Sequence, residues 1–421
     1  MIDIILKSNN IERDSYVWNM VGSFLNAFQS VILLIILTRI VDLNTAGVFT
    51  IANANANLFL NIGKYGVRNY QVSDVRYIYS FEEYRKNRTH TVMLMLLVAF
   101  IYIIIAAQLN EYKMKKTMIL IWMCVFKAPD AYEDVYWGEY QRRGRLDVAS
   151  KCMSIRIAFS IFIFGTTLLI LHDLLLSLMI TSIFTIFLMF SLVSLTKRLI
   201  EENNKKRESD KKIFERCFPL FMASFLSFYI GNAPKYAIDA QLTDKLQAIY
   251  GFISMPVFIV GLLNGFVFNP ILYSLSCKWN EKRIDDFIYS VIKQIFIVII
   301  ITSVCVAGAY IIGIPILSIV YNTDLIEYKI ELILLLIGGG FLGIVGVFNA
   351  TLAIMRKQNL LMMGYLVVAI LAFMLSSCVV ARWGMLGAVV MYDLLMLMLC
   401  IIFVIIMGVS IIICEKKLKN E

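Results

Sequence analysis

Long apolar runs separated by short polar segments recur along the whole chain. Each run has about 20 residues, which is enough for a helix to cross the ~30 Å of hydrocarbon in a bilayer. A β-barrel is excluded because the runs are continuous and do not alternate apolar with polar residues. The pattern predicts an all-α integral membrane protein of about twelve transmembrane helices. The predicted spans are 16–39, 46–67, 90–108, 117–138, 152–171, 174–195, 214–236, 247–273, 290–312, 330–354, 359–380 and 384–413.

The second span contains an unusual set of carboxamides. Asn53, Asn57 and Asn61 are spaced four residues apart, so they share one face of a helix. The same face continues to Lys64 and Arg68, and it therefore becomes cationic toward one end. Asn55 points the opposite way, where a hydrogen bond to a neighbouring helix is the expected role.

Two other spans carry polar stripes. The fourth contains Lys127, Asp130 and Asp134 on about one face, with Pro129 expected to kink it. In the first span the stripe is formed by Asn19, Ser23, Asn26 and Ser30. Hydrogen bonds between helices are one explanation. Three stripes with intramembrane charges favour the other, a hydrated cavity on a substrate or ion path.

Composition and charge agree with a membrane protein. The 421 residues are 60% hydrophobic and 16% charged, with a mean hydropathy of +0.78. Of the 39 lysines and arginines, 30 lie on one predicted side, 8 on the other, and Lys127 lies inside a span. Positive residues mark cytoplasmic loops, so both termini are expected in the cytoplasm. This asymmetry explains the net charge of +9 without nucleic-acid binding.

The motifs of several enzyme classes are missing from the sequence. It has no GxxxxGK[ST] phosphate loop, only two histidines, and eight cysteines without CxxC spacing. We therefore expect no enzymatic activity, no cofactor and no metal site. A membrane polymerase or ligase for glycans would need a large external loop with catalytic Arg or His, whereas the predicted external loops are short.

Two halves of similar pattern indicate a duplicated bundle. Arg39 and Asp42 end the first span, and Lys235 and Asp239 occupy the equivalent end of the seventh. The expected organisation is an N-terminal six-helix lobe at 1–200, a charged cytoplasmic linker at 201–213, and a C-terminal six-helix lobe at 214–421. A substrate site is expected in a central cavity between such repeats.

Four segments resemble the polysaccharide-transport (Wzx-type) branch of the multidrug/oligosaccharidyl-lipid/polysaccharide (MOP) exporter superfamily. The most specific is the NAPKYAID stretch, residues 232–239, which matches an Asn-x-Pro-basic-Tyr-x-Ile-acidic pattern of that branch. The resemblance implies two six-helix lobes around a cationic cavity. It also implies a flippase that moves undecaprenyl-diphosphate-linked oligosaccharide to the outer leaflet by alternating access. The other segments are LTRIVDLNTAGVFTIANANANLF, DAYEDVYWGEYQRRGRLD and RWGMLGAVVMY.

The resemblance implies roles for the polar residues. The diphosphate is expected near Lys127, Arg39 or Lys235, and the sugars on the face of Asn53, Asn57 and Asn61 with Lys64 and Arg68. A coupling H⁺ or Na⁺ is expected at Asp130, Asp239 or Asp393. The expected setting is the bacterial cytoplasmic membrane, alongside polysaccharide polymerase machinery. A multidrug cation antiporter of the same fold is the alternative, which a greasy aromatic pocket with one buried acid would favour.

Overall fold

The computed structural model describes residues 5–8, 10–74, 78–200, 211–268 and 271–420, and these residues are helical almost throughout. The chain divides into two compact units, an N-terminal unit Met1–Phe221 and a C-terminal unit Met222–Glu421. Their boundary lies within one helix. Of the expected linker 201–213, residues 201–210 lie outside the described residues, so the three-part division stays a prediction.

The N-terminal unit is a bundle of long helices. The first and seventh helices pack together, as do the second and fifth, while the eighth packs on the fifth and seventh. The helices are α1 Ile11–Ile40, α2 Leu43–Lys64, α3 Val67–Ser73, α4 Phe81–Leu109, α5 Met114–Tyr132, α6 Asp134–Arg142, α7 Leu146–Leu171 and α8 Leu174–Thr196, with a 3₁₀ turn at Lys197–Leu199.

The C-terminal unit is built around one central helix, α14, which contacts α10, α12 and α15. A single π-helical turn, Ala309–Gly313, joins α12 to α13. The helices are α9 Lys211–Gln241, α10 Asp244–Phe268, α11 Leu272–Asn280, α12 Ile284–Gly308, α13 Ile314–Tyr321, α14 Lys329–Ile354 and α15 Gln358–Asn420, with a 3₁₀ turn at Ile326–Tyr328.

Over the described residues, each predicted span coincides with one helix or with two consecutive helices, but some boundaries differ. Asp173 caps α8 directly after the left-handed His172, which confirms the short break between the fifth and sixth spans. The second span ends at Lys64, earlier than predicted, because Tyr65 and Gly66 both adopt positive φ and turn the chain into α3. Both of the last two predicted spans lie in α15, which changes direction at Gly384.

Eight segments of the described residues are long and apolar enough to cross a membrane. Helices α2 and α5 fall outside that set, α2 because of its asparagines and α5 because of its charged residues. The two least apolar spans of the N-terminal unit therefore carry its candidate chemistry.

Candidate functional site

A polar cavity of about 190 Å³ lies inside the N-terminal unit, between α1, α2, α3, α5, α6 and α7. Its volume is below the ~300–1,000 Å³ of a typical small-molecule site. It is large enough for several water molecules or a small anionic group. The polar residues that line it include Asn19, Ser23, Asn26, Lys64, Arg68, Asp130, Glu133, Asp134, Ser150 and Arg156.

The cavity brings together the ends of the predicted polar stripes. Three members of the α1 stripe, Asn19, Ser23 and Asn26, reach its wall. Lys64 comes from the last turn of α2, and Asp130 comes from α5. Residues predicted to share a hydrated site on separate helices therefore do meet, although Ser30 is not among the lining residues.

Arg156 of α7 binds two carboxylates at the cavity wall. Its guanidinium group donates to both Glu133 carboxylate oxygens at 2.7 Å and to Asp130 at 2.5 Å. The Arg156 side chain is only 1% exposed. Such a bidentate, charge-assisted contact holds both acids in fixed positions.

Lys127 lies beside the cavity and is not among its lining residues. Its ammonium nitrogen donates to Gln29 Oε1 at 2.8 Å and to Asp130 Oδ2 at 3.1 Å. The Gln29 amide in turn donates to Ser160 Oγ at 3.0 Å. Lys127 and Asp130, predicted to lie on about one helix face, are in contact, and Asp130 is shared between two cations.

A second carboxylate, Asp134, is also shared. Arg88, fully buried on α4, donates to Asp134 Oδ2 at 2.8 Å and to the Gly63 carbonyl oxygen at 2.6 Å. Arg68 approaches the other Asp134 oxygen at 3.4 Å and donates to Gln141 at 3.0 Å. One wall of the cavity is therefore held by cations that come from α3, α4 and α7.

These groups form one cluster whose formal charges do not cancel. Among the described residues, the cluster contains five cations and three carboxylates, an excess of two positive charges. The cations are Lys64, Arg68, Arg88, Lys127 and Arg156, and the carboxylates are Asp130, Glu133 and Asp134.

In the neighbouring group of ion pairs, the formal charges cancel. Arg142 contacts Glu139 at 2.7 Å and Asp74 at 3.6 Å, and Arg143 contacts Glu139 at 2.7 Å, so two cations face two carboxylates. The charged residues that line the cavity balance, three cations against three carboxylates, and the positive excess comes from Arg88 and Lys127 directly behind them. Since uncompensated charge is costly in low dielectric, this excess around the cavity indicates a place for an anion.

The three asparagines of α2 share one half-buried face, as the spacing predicts, but they do not line the polar cavity. Asn57 donates to the Asn53 carbonyl oxygen at 2.9 Å and to its side chain at 3.0 Å. Asn61 donates to the Asn57 carbonyl oxygen at 2.9 Å. We call these three residues the asparagine face. Asn55, on the other side, is only 2% exposed.

The remaining predicted site residues lie elsewhere. Arg39 is exposed in the last turn of α1. Lys235 and Asp239 are half-buried, one turn apart on α9 of the C-terminal unit. Asp393 of α15 is packed so closely against Gly338 of α14 that a Cβ there would overlap one of its carboxylate oxygens. These four do not join the polar cavity.

Two cations of the cluster, Arg156 and Arg88, and the Lys127 partner Gln29 were not predicted. Arg156 lies within the predicted span 152–171, so its position inside the membrane was a usable signal. Arg88 precedes the predicted span 90–108 by two residues and gave no such signal. Gln29, an uncharged residue on α1, could not be distinguished by sequence from other polar residues of that helix.

Comparison with solved structures gives the fold. The chain is similar to the lipid II flippase MurJ in an inward closed conformation, with a TM-score of 0.68, 12% identity, and coverage of 92% of this chain and 87% of that one. The chain shares its fold. It is also similar to a mutant of the MATE transporter VcmN of Vibrio cholerae, with a TM-score of 0.58, 13% identity and 98% of each chain covered.

A eukaryotic MATE transporter gives a TM-score of 0.57 at 10% identity over 94% of this chain and 96% of that one. No protein-family model and no curated protein matches the chain. At these identities the likeness establishes a two-lobed, all-α MATE/MurJ membrane fold, and the activity has to be argued from the site.

Proposed function

We propose that the protein is a flippase for undecaprenyl-diphosphate-linked oligosaccharide, which it moves from the inner to the outer leaflet by alternating access. The observation that carries this proposal is the excess of two positive charges in the buried cluster of the N-terminal unit. A diphosphate diester supplies about two negative charges, and Arg and Lys are its usual protein partners. The likeness to a lipid II flippase supports the same class of cargo.

The geometry suggests a division of labour for this function. Lys64 and Arg68, which line the cavity and have half-exposed side chains, are the proposed diphosphate contacts. Lys127 lies outside the cavity lining and positions Asp130 through its hydrogen bonds to Asp130 and Gln29. The asparagine face offers carbonyl oxygens and amides to sugar hydroxyls. Arg39 and Lys235 remain proposed contacts at other stages of transport.

Three carboxylates are candidates for the site of a coupling ion. Asp130 is paired with two cations and is therefore a poor cation site in this conformation. Asp393 is the better candidate, since one of its buried oxygens has no hydrogen-bond partner among the described residues, and its carboxylate neighbours Tyr250 and Tyr392. Asp239 is a third candidate. H⁺ and Na⁺ both remain consistent with these carboxylates.

The cellular setting is proposed on the same basis. A lipid-linked glycan and the 30-to-8 charge asymmetry fit a bacterial cytoplasmic membrane, with both termini in the cytoplasm. Exported repeat units would feed synthesis of capsule, O-antigen or another surface polysaccharide. A polysaccharide polymerase is the expected downstream partner.

The test removes the proposed diphosphate contacts. In a strain that lacks the native protein, the double variant Lys64→Gln, Arg68→Gln should accumulate lipid-linked glycan and lose at least about 90% of surface polysaccharide, since charge-assisted contacts of ~1.5–3 kcal/mol are lost at each site. The measurement is extraction and mass spectrometry of lipid-linked intermediates, together with surface glycan quantitation.

The matched control removes one arginine and one lysine whose side chains are exposed and lie outside the cavity lining. The double variant Arg13→Gln, Lys86→Gln loses the same charge on the same predicted side and should export normally. Normal export by the Lys64, Arg68 variant at normal expression would overturn the proposed anchor. Absence of any accumulated lipid-linked glycan in the deletion strain would overturn the function.

A multidrug cation antiporter is the second candidate. Two observations favour it, the likeness to MATE transporters and the half-buried Asp393 beside two tyrosines. An antiporter of this kind would lower cellular accumulation of a lipophilic cation such as ethidium, and Asp393→Asn would abolish that effect. The flippase proposal expects no difference in ethidium accumulation between the deletion and wild-type strains.

A further inference from the structure

A second and larger pocket lies at one end of the N-terminal unit, where α4 begins and α5 and α8 end. Its volume is about 740 Å³, and it shares no lining residue with the polar cavity. The charge distribution predicts that this end faces the cytoplasm. We call it the inner-end pocket.

Three cations line the inner-end pocket. Lys197 and Arg198 lie in the 3₁₀ turn after α8, and both side chains are exposed. Arg85 comes from α4 and is held by Glu82 through two hydrogen bonds of 2.9 and 2.8 Å. That contact uses Nε and Nη2 of the guanidinium group, which also lies beside the Tyr136 and Tyr132 hydroxyls. Among the described lining residues, three cations and Glu82 therefore give a net positive charge of two.

A row of aromatic rings also lines the pocket. Phe81 contacts Tyr136 with ring centroids 5.2 Å apart, Tyr136 contacts Tyr132 at 5.9 Å, and Tyr132 contacts Phe190 at 6.1 Å. The row ends at Phe190, which is 55% exposed on the outer surface of an apolar helix. It thus runs from the cationic mouth to the surface that hydrocarbon would cover.

The combination is more specific than the basic residues that are common at a cytoplasmic surface. Tyr and Phe at the level of lipid headgroups pack against glycerol and the first methylenes of a chain, while Lys and Arg attract phosphate. A water-soluble phosphate compound would use the cations but would gain nothing from an aromatic row that continues to the hydrocarbon.

We propose that the inner-end pocket binds the headgroup of an anionic phospholipid from the inner leaflet. The phosphate lies between Arg85, Lys197 and Arg198, and one acyl chain leaves the pocket along Tyr132 and Phe190. The polar cavity lies on the other side of α5 and α6, where Glu133, Asp134 and Trp137 are its lining residues. The lipid site is therefore independent of the proposed transport function.

The test measures lipid binding to the purified full-length protein in neutral detergent by native mass spectrometry. Dioleoylphosphatidylglycerol should bind the wild type at least about tenfold more tightly than the triple variant Arg85→Gln, Lys197→Gln, Arg198→Gln, since each basic residue near a lipid surface contributes about fivefold in affinity. Dioleoylphosphatidylcholine should bind both proteins equally. Sodium phosphate at millimolar concentration should not displace the anionic lipid.

Two further variants make the result decisive. The double variant Lys197→Gln, Arg198→Gln changes only exposed side chains, so it keeps the fold and should still lose several-fold in affinity. The matched control Arg283→Gln, Arg356→Gln, Lys357→Gln removes the same number of cations on the same predicted side of the C-terminal unit, including an Arg paired with an exposed Glu. Equal affinity of wild type, triple variant and control would overturn the site. Displacement by free phosphate would overturn its assignment to a lipid.

Discussion

Asp130 is the residue that links the two sides of the buried charge cluster. One of its oxygens accepts from Lys127 at 3.1 Å, and the other accepts from Arg156 at 2.5 Å. Because Arg156 also binds Glu133, and Lys127 also binds Gln29, the carboxylate connects α1, α5 and α7. Loss of this single acid would raise the positive excess from two to three, whereas loss of Lys127 would lower it to one.

We therefore predict unequal effects at the two residues. Asp130→Asn should destabilise the protein by ~3–5 kcal/mol, since it leaves the buried Lys127 without a counter-charge and removes one of the two carboxylates that Arg156 binds. Lys127→Met should cost only ~1–3 kcal/mol, mainly because the Gln29 oxygen loses its donor. Thermal unfolding of the purified variants in detergent, followed by tryptophan fluorescence, measures the difference. Equal losses would show that charge excess does not govern stability here.

The same residues show what the sequence can predict about a site. The contact between Lys127 and Asp130 follows from a spacing of three residues on one helix. The contacts of Lys127 with Gln29 and of Arg156 with Asp130 join positions 98 and 26 residues apart, and no local pattern encodes them. Residue types and faces were therefore predictable, while the partners depended on how the helices pack.

At the scale of elements, α2 shows how polarity can be divided between two sides of a membrane helix. Asn55 is buried on one side, where its side-chain oxygen Oδ1 has no hydrogen-bond partner within the described part of the chain. The asparagine face is half-buried on the other side and leads to Lys64 at the cavity. The difference between these two sides can be measured directly.

In a cysteine-free background, single cysteines at positions 53, 57 and 61 should react with a polar thiol reagent in membranes. A cysteine at position 55 should react at least about tenfold more slowly, because that side chain is only 2% exposed. The measurement is the rate of labelling by a charged maleimide. Similar rates at all four positions would mean that the asparagine face does not contact water.

The elements also show where sequence patterns stop being informative about fold. Apolar runs located every long helix, and the predicted limits of the fifth and sixth spans, residues 171 and 174, are the residues where α7 ends and α8 begins. The break between α5 and α6 lies at Glu133, four residues after Pro129, and the change of direction in α15 lies at Gly384. Hydropathy averages over such local features, since a single glycine or proline barely alters the mean of a span.

At the scale of the whole molecule, the distribution of basic residues predicts the orientation. The strongest asymmetry is between loops after even-numbered spans and those after odd-numbered spans. A local conflict is the cluster of Lys113, Lys115 and Lys116 on the predicted outer side. In the structure Lys115 binds Asp173 at 2.7 Å, and Lys116 lies over the Tyr112 ring at 4.5 Å. Partial compensation of these charges is consistent with an external position.

Alkaline phosphatase fusions test this orientation. An enzyme inserted between Leu242 and Thr243, in the loop between α9 and α10, should be active because it is outside the cytoplasm. A fusion after Glu421 should be inactive. An insertion between residues 110 and 113 serves as the control for the conflicting lysines and should also be active. The reverse pattern would contradict the topology.

The hydrogen bonds of the asparagine face have a mechanical consequence. Polar side chains between membrane helices usually hold them together, at ~0.5–2 kcal/mol for each hydrogen bond. Asn57 and Asn61 instead donate to their own helix one turn back, so these bonds survive when the surroundings of α2 change. A neighbour of α2 can therefore be displaced without breaking these two bonds. Under the proposed function, a glycan would bind the asparagine face and leave it while the hydrogen bonds within α2 stay intact.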